Sequence, residues 1–349
     1  MFNDFLEVLK ENHFVETPVD VKTFVQSPDY LGQPLLSDIQ YEIVEAMSQI
    51  YRKEDVIDIM GDIEGTKHFN KYTKNELILQ LGKGSGKDFI STVACAYVVY
   101  KLLCLKDPAI YYGKPAGDAI DIINVAINAQ QAKNVFFKGF KNKIENSPWF
   151  AGKYNSKAES IEFEHAITVY SGHSERESHE GLNLLVAVLD EISGFAQDVG
   201  TGNDQGKTAD NIYKAFRASV DSRFPDLGKV ALLSFPRYPG DFISQKYDDV
   251  IADKEVITKT HKFTMNPDLP EGAEGNYLEI SWDEDTILSY KYPGVFALKR
   301  PTWVVNPTRS VDDFKISFFT DLGDAMMRFA CVPTFASDAF FKQAEKVRA

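Results

Sequence analysis

Three features of the sequence predict an α/β fold built on a mostly parallel sheet flanked by helices. Four short runs, "ELILQL", "IDIINVAINA", "LLVAVLD" and "KVALLSF", are almost continuously apolar, as strands covered on both faces are. Longer stretches with helical spacing lie between them, at 88–106, 130–146 and 211–222. That alternation is what parallel strands require, because each crossover must carry the chain back across the sheet.

Taken in order, residues 1–75 read as a helical N-terminal segment. In "LLSDIQYEIVEAMSQIY" the apolar positions Ile39, Ile43, Val44, Met47 and Ile50 share one helical face, and Ser37 is placed to cap it. Residues 76–255 carry the strand–helix alternation, interrupted by "SIEFEHAITVYSGH", whose period-two pattern predicts a hairpin. Residues 256–349 are mixed and proline-rich. There "SWDEDTILSYKYPGVFALKRPTWVVNPTRS" reads as helices and loops packed on the core, a small lid or linker subdomain.

Bulk properties narrow the class. Cys95, Cys104 and Cys331 sit among apolar residues with no C-x-x-C spacing, so neither a disulfide framework nor a zinc site is expected, and a reducing cytoplasmic compartment fits. "MFNDFLEVLKENHF" lacks the basic and apolar regions of a signal peptide. The apolar run 89–105 contains Ser91, Thr92 and Lys101 and reads as a buried helix rather than a membrane span. A net charge of −13 argues against tight autonomous DNA binding, which ordinarily needs a basic surface.

The chemistry begins at "LGKGSGKD", residues 81–88. A phosphate-binding loop reads G-x-x-x-x-G-K-[ST] between a strand and a helix. Here Leu81 replaces the first Gly and Asp88 the Ser or Thr, yet the strand–helix context is right and Lys87 follows Gly86 in the expected order. Gly82, Gly84 and Gly86 leave the backbone free to turn its amides toward an anion, and the helix N-terminus adds favourable partial charge. By itself the stretch is also compatible with a plain glycine turn.

A second signal is "LLVAVLDEIS", a buried strand ending in Asp190 and Glu191. Two carboxylates there need a reason, since burying unpaired charge is costly. A phosphoryl-transfer site supplies one: Asp190 holds Mg²⁺ and Glu191 polarises the attacking water. A third is Ser234, at the end of "KVALLSF", where a polar group reaches the phosphate crevice of a parallel sheet; a serine opening the turn before Pro236 is the plainer reading. Transition-state charge would be met by Lys83 or by one of Arg176, Arg217, Arg223 and Arg237, with Arg176 preferred for its place in the polar loop before the acidic strand. His173, Glu175, Glu177 and His179 match no metal signature, and Trp149, Trp282 and Trp303 are too scattered for a base-stacking platform.

The ordered set "QLGKGSGKDF", "LLVAVLDEIS" and "LLSFPR", with Gln40 ahead of it and "TWVVNP" and "FACVPTFASDAFF" behind, resembles the ATPase domain of tailed-phage large terminases over roughly residues 30–335. The resemblance implies an ASCE-type P-loop NTPase with Walker A- and Walker B-type motifs, binding ATP and Mg²⁺. It implies a nucleotide site made of Gln40 at the adenine, Gly82, Lys83, Gly84, Ser85, Gly86, Lys87, Asp88 and Phe89. It places Asp190 and, as a variant of the usual hydroxyl, Asp88 at magnesium, Glu191 as the catalytic carboxylate and Ser234 in a coupling motif.

It further implies a homo-oligomeric ring on a viral portal protein, working with a small terminase subunit on double-stranded DNA in the host cell cytoplasm. Arg176 of one subunit, or Arg223 in reserve, would complete the neighbour's site. No membrane partner is expected, and the chain in isolation would be a monomer. Because the nuclease domain of such proteins would begin near Ala349, no nuclease activity is expected of this chain. Two alternatives stand beside this: a helicase-like DNA-dependent ATPase, which would need a second α/β core, and a nucleotide-binding scaffold that no longer hydrolyses, which the Asp88 substitution motivates.

Overall fold

The computed structural model describes residues 13–126, 132–173, 181–195, 208–264, 268 and 277–333. Its centre is an eight-stranded sheet. The strands are β1 (Glu76–Leu81), β2 (Ile120–Ala126), β3 (Tyr154–Ser156), β4 (Ser160–Phe163), β5 (Ile167–His173), β6 (Leu184–Asp190), β7 (Lys229–Ser234) and β10 (Val295–Arg300), in the order β10-β1-β7-β6-β2-β5-β4-β3. The pairings from β10 through β5 are parallel, and β4 and β3 add an antiparallel edge. The four runs expected to be buried strands are β1, β2, β6 and β7, and the expected hairpin is β4–β5.

Their continuous apolar character has a direct cause. In β1, Leu77, Leu79 and Leu81 enter one core while Ile78 enters the other. Likewise Ala231 and Leu233 of β7 face the first and Val230 and Leu232 the second. Side chains alternate along a strand, so a sheet with helices on both faces needs an apolar residue at every position.

The helices are α1 (Val21–Gln26), α2 (Asp38–Ser48), α3 (Lys53–Met60), α4 (Asp62–Tyr72), α5 (Lys87–Leu103), α6 (Pro108–Tyr111), α7 (Lys138–Asn146), α8 (Ala209–Arg223), α9 (Phe242–Val250), α10 (Thr302–Val305), α11 (Lys315–Thr320) and α12 (Leu322–Arg328). α1, α2, α5 and α7 contribute to the first core, while α8 and α9 cover the opposite face. α5 is buried nearly all round, which explains the apolar run after the glycine loop. No helix among the described residues is long and apolar enough to cross a membrane.

Local chemistry sets the N-terminal helices. Ser37 caps α2 through a capping box with Gln40, and Asp20 caps α1 by accepting from Lys22 and Thr23 N–H. α3 and α4 meet at Gly61, whose φ of +84° suits a residue without a Cβ.

The segment after residue 255 differs from the expectation of helices and loops. Ile251–Thr264 (β8) and Tyr277–Tyr290 (β9) form a long antiparallel ribbon, so a division at 255/256 falls inside a strand. The stretch "VFALKR" is β10, a full member of the main sheet paired in parallel with β1. Charged residues along the ribbon hid it: Lys259 and Lys262 pair across to Glu284 and Glu279, while Phe263, Ile280 and Trp282 enter a third apolar cluster with α11 and α12. A two-stranded ribbon leaves much of its surface wet, so the apolar pattern used to find strands is diluted.

Candidate nucleotide site

The parallel register brings the three sequence signals to one edge of the sheet. Gln80 of β1 lies opposite Ser234 of β7, and Leu233 lies opposite Asp190 of β6. The glycine loop, the Asp190-Glu191 pair and the Ser234 turn therefore all leave the sheet at its carboxyl end, where ligands bind in open α/β sheets. β7 stands between the loop strand and the acid strand.

Leu81 is the last residue of β1, and Gly86 caps α5 with a φ of +87°. Gly84 also has positive φ, at +86°. These two positions need glycine for conformation. Gly82 needs it for space: a Cβ there would meet Thr302 and the Phe329 carbonyl oxygen at 2.6 Å.

Lys87 and Glu191 form the centre. Lys87 Nζ stands 2.6 Å from Glu191 Oε1, both side chains being largely buried. Burial disfavours the ammonium, but Glu191, Asp190 and Asp88 outweigh it and hold Lys87 protonated well above the ordinary lysine range. Glu191 has φ 54° and ψ 38°, a left-handed backbone uncommon for a residue with a long side chain. Such strain persists only where the surroundings fix it, and it concentrates at functional sites. Its second oxygen, Oε2, lies 3.6 Å from a guanidinium nitrogen of Arg237.

Asp190 is almost fully buried. Burial, opposed by Lys87 but reinforced by Asp88 and Glu191, pushes its carboxyl far above the usual range, and it shares a hydrogen bond with Asp88. Its Oδ1 is buried without a hydrogen-bond partner. A buried carboxylate oxygen beside a second carboxylate fits a hard divalent cation, which would restore the charge that burial opposes. Among the described residues no group of three or more His, Cys, Asp or Glu forms a metal cage. The neighbouring Asp88 and Asp190 carboxylates fit magnesium, which is held by one or two carboxylates and completed by phosphate oxygens and water.

Gln40 is buried against the loop. Its Oε1 accepts from Ser37 N–H at 3.1 Å, and its Nε2 points to the Ser85 carbonyl at 3.4 Å. Ser85 Oγ is buried without a partner. Phe89 is partly buried, with the Lys143 ammonium 4.5 Å from its ring centre. Ser234 is fully buried, and its hydroxyl donates to the Phe235 carbonyl at 2.9 Å. Lys83 is exposed and lines a cleft of about 410 Å³ beside the loop, shared with Glu191, Arg237, Asp324 and Arg328. Arg176 lies outside the described residues, as do Glu175, Glu177 and His179; Arg223 ends α8 and lines a different cleft, near Arg52 and Phe224.

A set of contacts escaped sequence reasoning. Lys83 N–H donates to the Arg328 carbonyl at 2.6 Å, Thr302 Oγ1 donates to the Lys83 carbonyl at 2.9 Å, and Asn306 Nδ2 donates to the Gly84 carbonyl at 2.8 Å. The C-terminal segment thus clamps the loop. Thr302 and Asn306 both lie in "TWVVNP", where the resemblance offered the one signal; nothing in their spacing announced a partner more than two hundred residues away.

A glycine loop with its lysine between a parallel strand and a helix, facing a strand-end Asp-Glu pair, defines a P-loop NTPase domain. A family model described as the N-terminal P-loop domain of "Uncharacterized protein MJ0330" matches residues 2–331, and the chain belongs to that family. "Uncharacterized protein MJ0330" of Methanocaldococcus jannaschii is 30% identical over 283 residues, covering 78% of this chain and 42% of that protein. The chain thus spans less than half the length of this curated relative. Among solved structures, the large terminase of bacteriophage HK97 shares the fold with a TM-score of 0.52 and 14% identity, over 89% of this chain and 53% of that one. The large terminase ATPase domain of Thermus phage P74-26 aligns over 75% of this chain and 90% of that one, with a TM-score of 0.46 and 14% identity. The fold is that of a P-loop domain, shared with the phage HK97 protein.

Proposed function

We propose that this domain hydrolyses ATP and that the work so powered is movement of double-stranded DNA. The observation that carries the hydrolytic reading is Glu191, a carboxylate on a strained backbone ion-paired to Lys87 at 2.6 Å. A domain that only bound nucleotide would have no use for this carboxylate, which weighs against the non-hydrolysing scaffold.

The proposed roles draw on the geometry and on the resemblance of the motifs. Lys87, kept protonated by three carboxylates, is a point cation for the β- and γ-phosphates. The amides of the glycine loop and the N-terminus of α5 receive the phosphate oxygens. Glu191 orients and deprotonates the attacking water, being at the crevice and within reach of the lysine that binds the phosphate. Asp190 and Asp88 would hold magnesium, which when bound offsets phosphate charge. Gln40 supports the loop from the adenine side, and Ser234 passes the state of the phosphate to the turn after β7.

The translocation reading rests on the shared fold, on the resemblance of the motifs and on the clamp from Thr302, Asn306 and Arg328, which ties the loop to segments beyond the core. It includes a ring of subunits, a portal and a small terminase subunit as partners, Arg176 of a neighbour at the active site, and action in the host cell cytoplasm. The helicase alternative needs a second core, whereas the described residues after 250 form a ribbon, one more strand of the first sheet and short helices.

The test is phosphate release from ATP by this chain beside Lys87→Ala and Glu191→Gln, at protein concentrations high enough for subunits to meet. Turnover in the parent and loss of at least about a hundredfold in both variants is expected. Equal background release from all three would overturn the hydrolytic reading.

A further inference from the structure

Glu191 has a cation near each oxygen, its Oε2 being buried without a hydrogen bond, and the two cations have different obligations. Lys87 takes Oε1 at 2.6 Å, while Arg237 stands 3.6 Å from Oε2. Under the proposed function Lys87 must also serve the phosphates, and an ammonium drawn to them no longer fixes the glutamate. A long side chain on a left-handed backbone would then be free to leave the crevice. From this we infer that Arg237 is a positioning residue of the same chain, which keeps the Glu191 carboxylate aimed into the crevice through Oε2 when Lys87 engages phosphate. The inference rests on the hydrolytic reading above.

The loop that carries Arg237 is built for the task. Arg237 N–H donates to Asp241 Oδ2 at 2.8 Å, and Asp241 Oδ1 caps α9 by accepting from Ser244 N–H at 3.1 Å. Asp241 is fully buried, so the backbone at position 237 is fixed by a group independent of the arginine side chain. The guanidinium also lies over the Phe235 ring at 5.4 Å, which sets its direction. Competing cations in the cleft are otherwise placed: Arg328 Nε is paired to Asp324 at 2.6 Å, and Lys83 is exposed at the rim. Because the guanidinium–carboxylate separation is longer than a hydrogen bond, the hold is electrostatic rather than bidentate.

Arg237→Gln removes the charge together with the guanidinium that lies over Phe235; Arg237→Lys keeps a charge and removes the fork. Steady-state ATP turnover is expected to show kcat ten- to a hundredfold lower in Arg237→Gln, on the order that misplacing a catalytic group costs, with KM for MgATP within about twofold. Arg237→Lys should recover most of the rate, and thermal midpoints should match the parent. Mixing Arg237→Gln chains with Glu191→Gln chains should restore nothing, because both residues act within one chain. An unchanged kcat, an effect confined to KM, an Arg237→Lys variant as slow as Arg237→Gln, or recovery on mixing would each overturn the inference. Lys87→Ala separates the two readings: if it turns over like the parent, the hydrolytic reading fails; if it is dead while Arg237→Gln is fully active, only this inference fails.

Discussion

Gly82 packs against Thr302 so closely that no side chain fits between them. An added Cβ would stand 2.6 Å from the Phe329 carbonyl oxygen and 2.7 Å from Thr302 N. Both are backbone atoms, themselves joined by the hydrogen bond from Thr302 N–H to Phe329 O at 2.8 Å. Gly82→Ala therefore has to displace the C-terminal clamp. We expect a loss of roughly 1–3 kcal/mol in stability, as overpacking costs, and weaker nucleotide binding. Denaturant unfolding and a fluorescent-nucleotide titration measure the two. Thr302→Ala in the same chain should not rescue it, since the backbone obstacles remain; full rescue would show that the Thr302 side chain was the obstacle.

Asp88 tests the metal assignment. It neighbours the buried Asp190, and replacing it with Ala removes one hard oxygen ligand. Mg²⁺-dependent nucleotide affinity should fall about tenfold in Asp88→Ala, the scale typical of losing support at a metal site, and return in large part in Asp88→Ser. Identical Mg²⁺ titrations for the parent and both variants would remove Asp88 from the metal.

Ser37 joins the N-terminal segment to the loop. It donates to the Val305 carbonyl at 2.8 Å, caps α2, and fixes Gln40, whose amide reaches Ser85. Ser37→Ala should cost about 1 kcal/mol, as a lost N-cap does, and should also weaken nucleotide binding a few-fold by loosening the first turn of α2 that carries Gln40, although the Ser37 N–H that holds Gln40 Oε1 remains. Loss of stability with unchanged nucleotide affinity would mean that Gln40 acts independently of its cap.

Lys229 sets a pH dependence. It is fully buried at the start of β7, its ammonium donating to the Lys74 carbonyl at 2.6 Å. Burial, with the charges of Lys101 and Lys74, pushes its pKa down to about 7. Between that value and the ordinary lysine pKa of about 10.5, the unfolded chain binds a proton that the native chain has released, so stability rises with pH across this window. The gain is at most about 1.4 kcal/mol per pH unit. Lys229→Met should be the more stable chain near pH 7, with that advantage shrinking toward pH 10. Parallel melting curves at every pH would refute the shift.

Much of the fold was legible because burial on both faces leaves an unambiguous mark. β1, β2, β6 and β7 are continuously apolar, and Ser37 with Gln40 spells a cap. The ribbon was not legible. In β8 and β9 the alternation is broken by charges that pair across the strands, and β10 is a short run whose place beside β1 depends on a pairing across more than two hundred intervening residues. At the site, Lys87, Asp190 and Glu191 stood out because chemistry there demands particular residue types at strand ends. Arg237 was one arginine among four, distinguished only by the approach of Glu191.

The sequence by itself determined the parallel α/β class, the loop between strand and helix, and the identity of the acid pair, because these depend on local pattern and on residue type. Tertiary structure alone decided that Glu191 sits on a left-handed backbone between Lys87 and Arg237, that Gly82 is a glycine because Thr302 and Phe329 lie against it, and that the loop is clamped from the C-terminal side. These are contacts between residues far apart along the chain. Their energies arise from packing and charge at distances of a few ångströms, which no spacing rule along the sequence encodes.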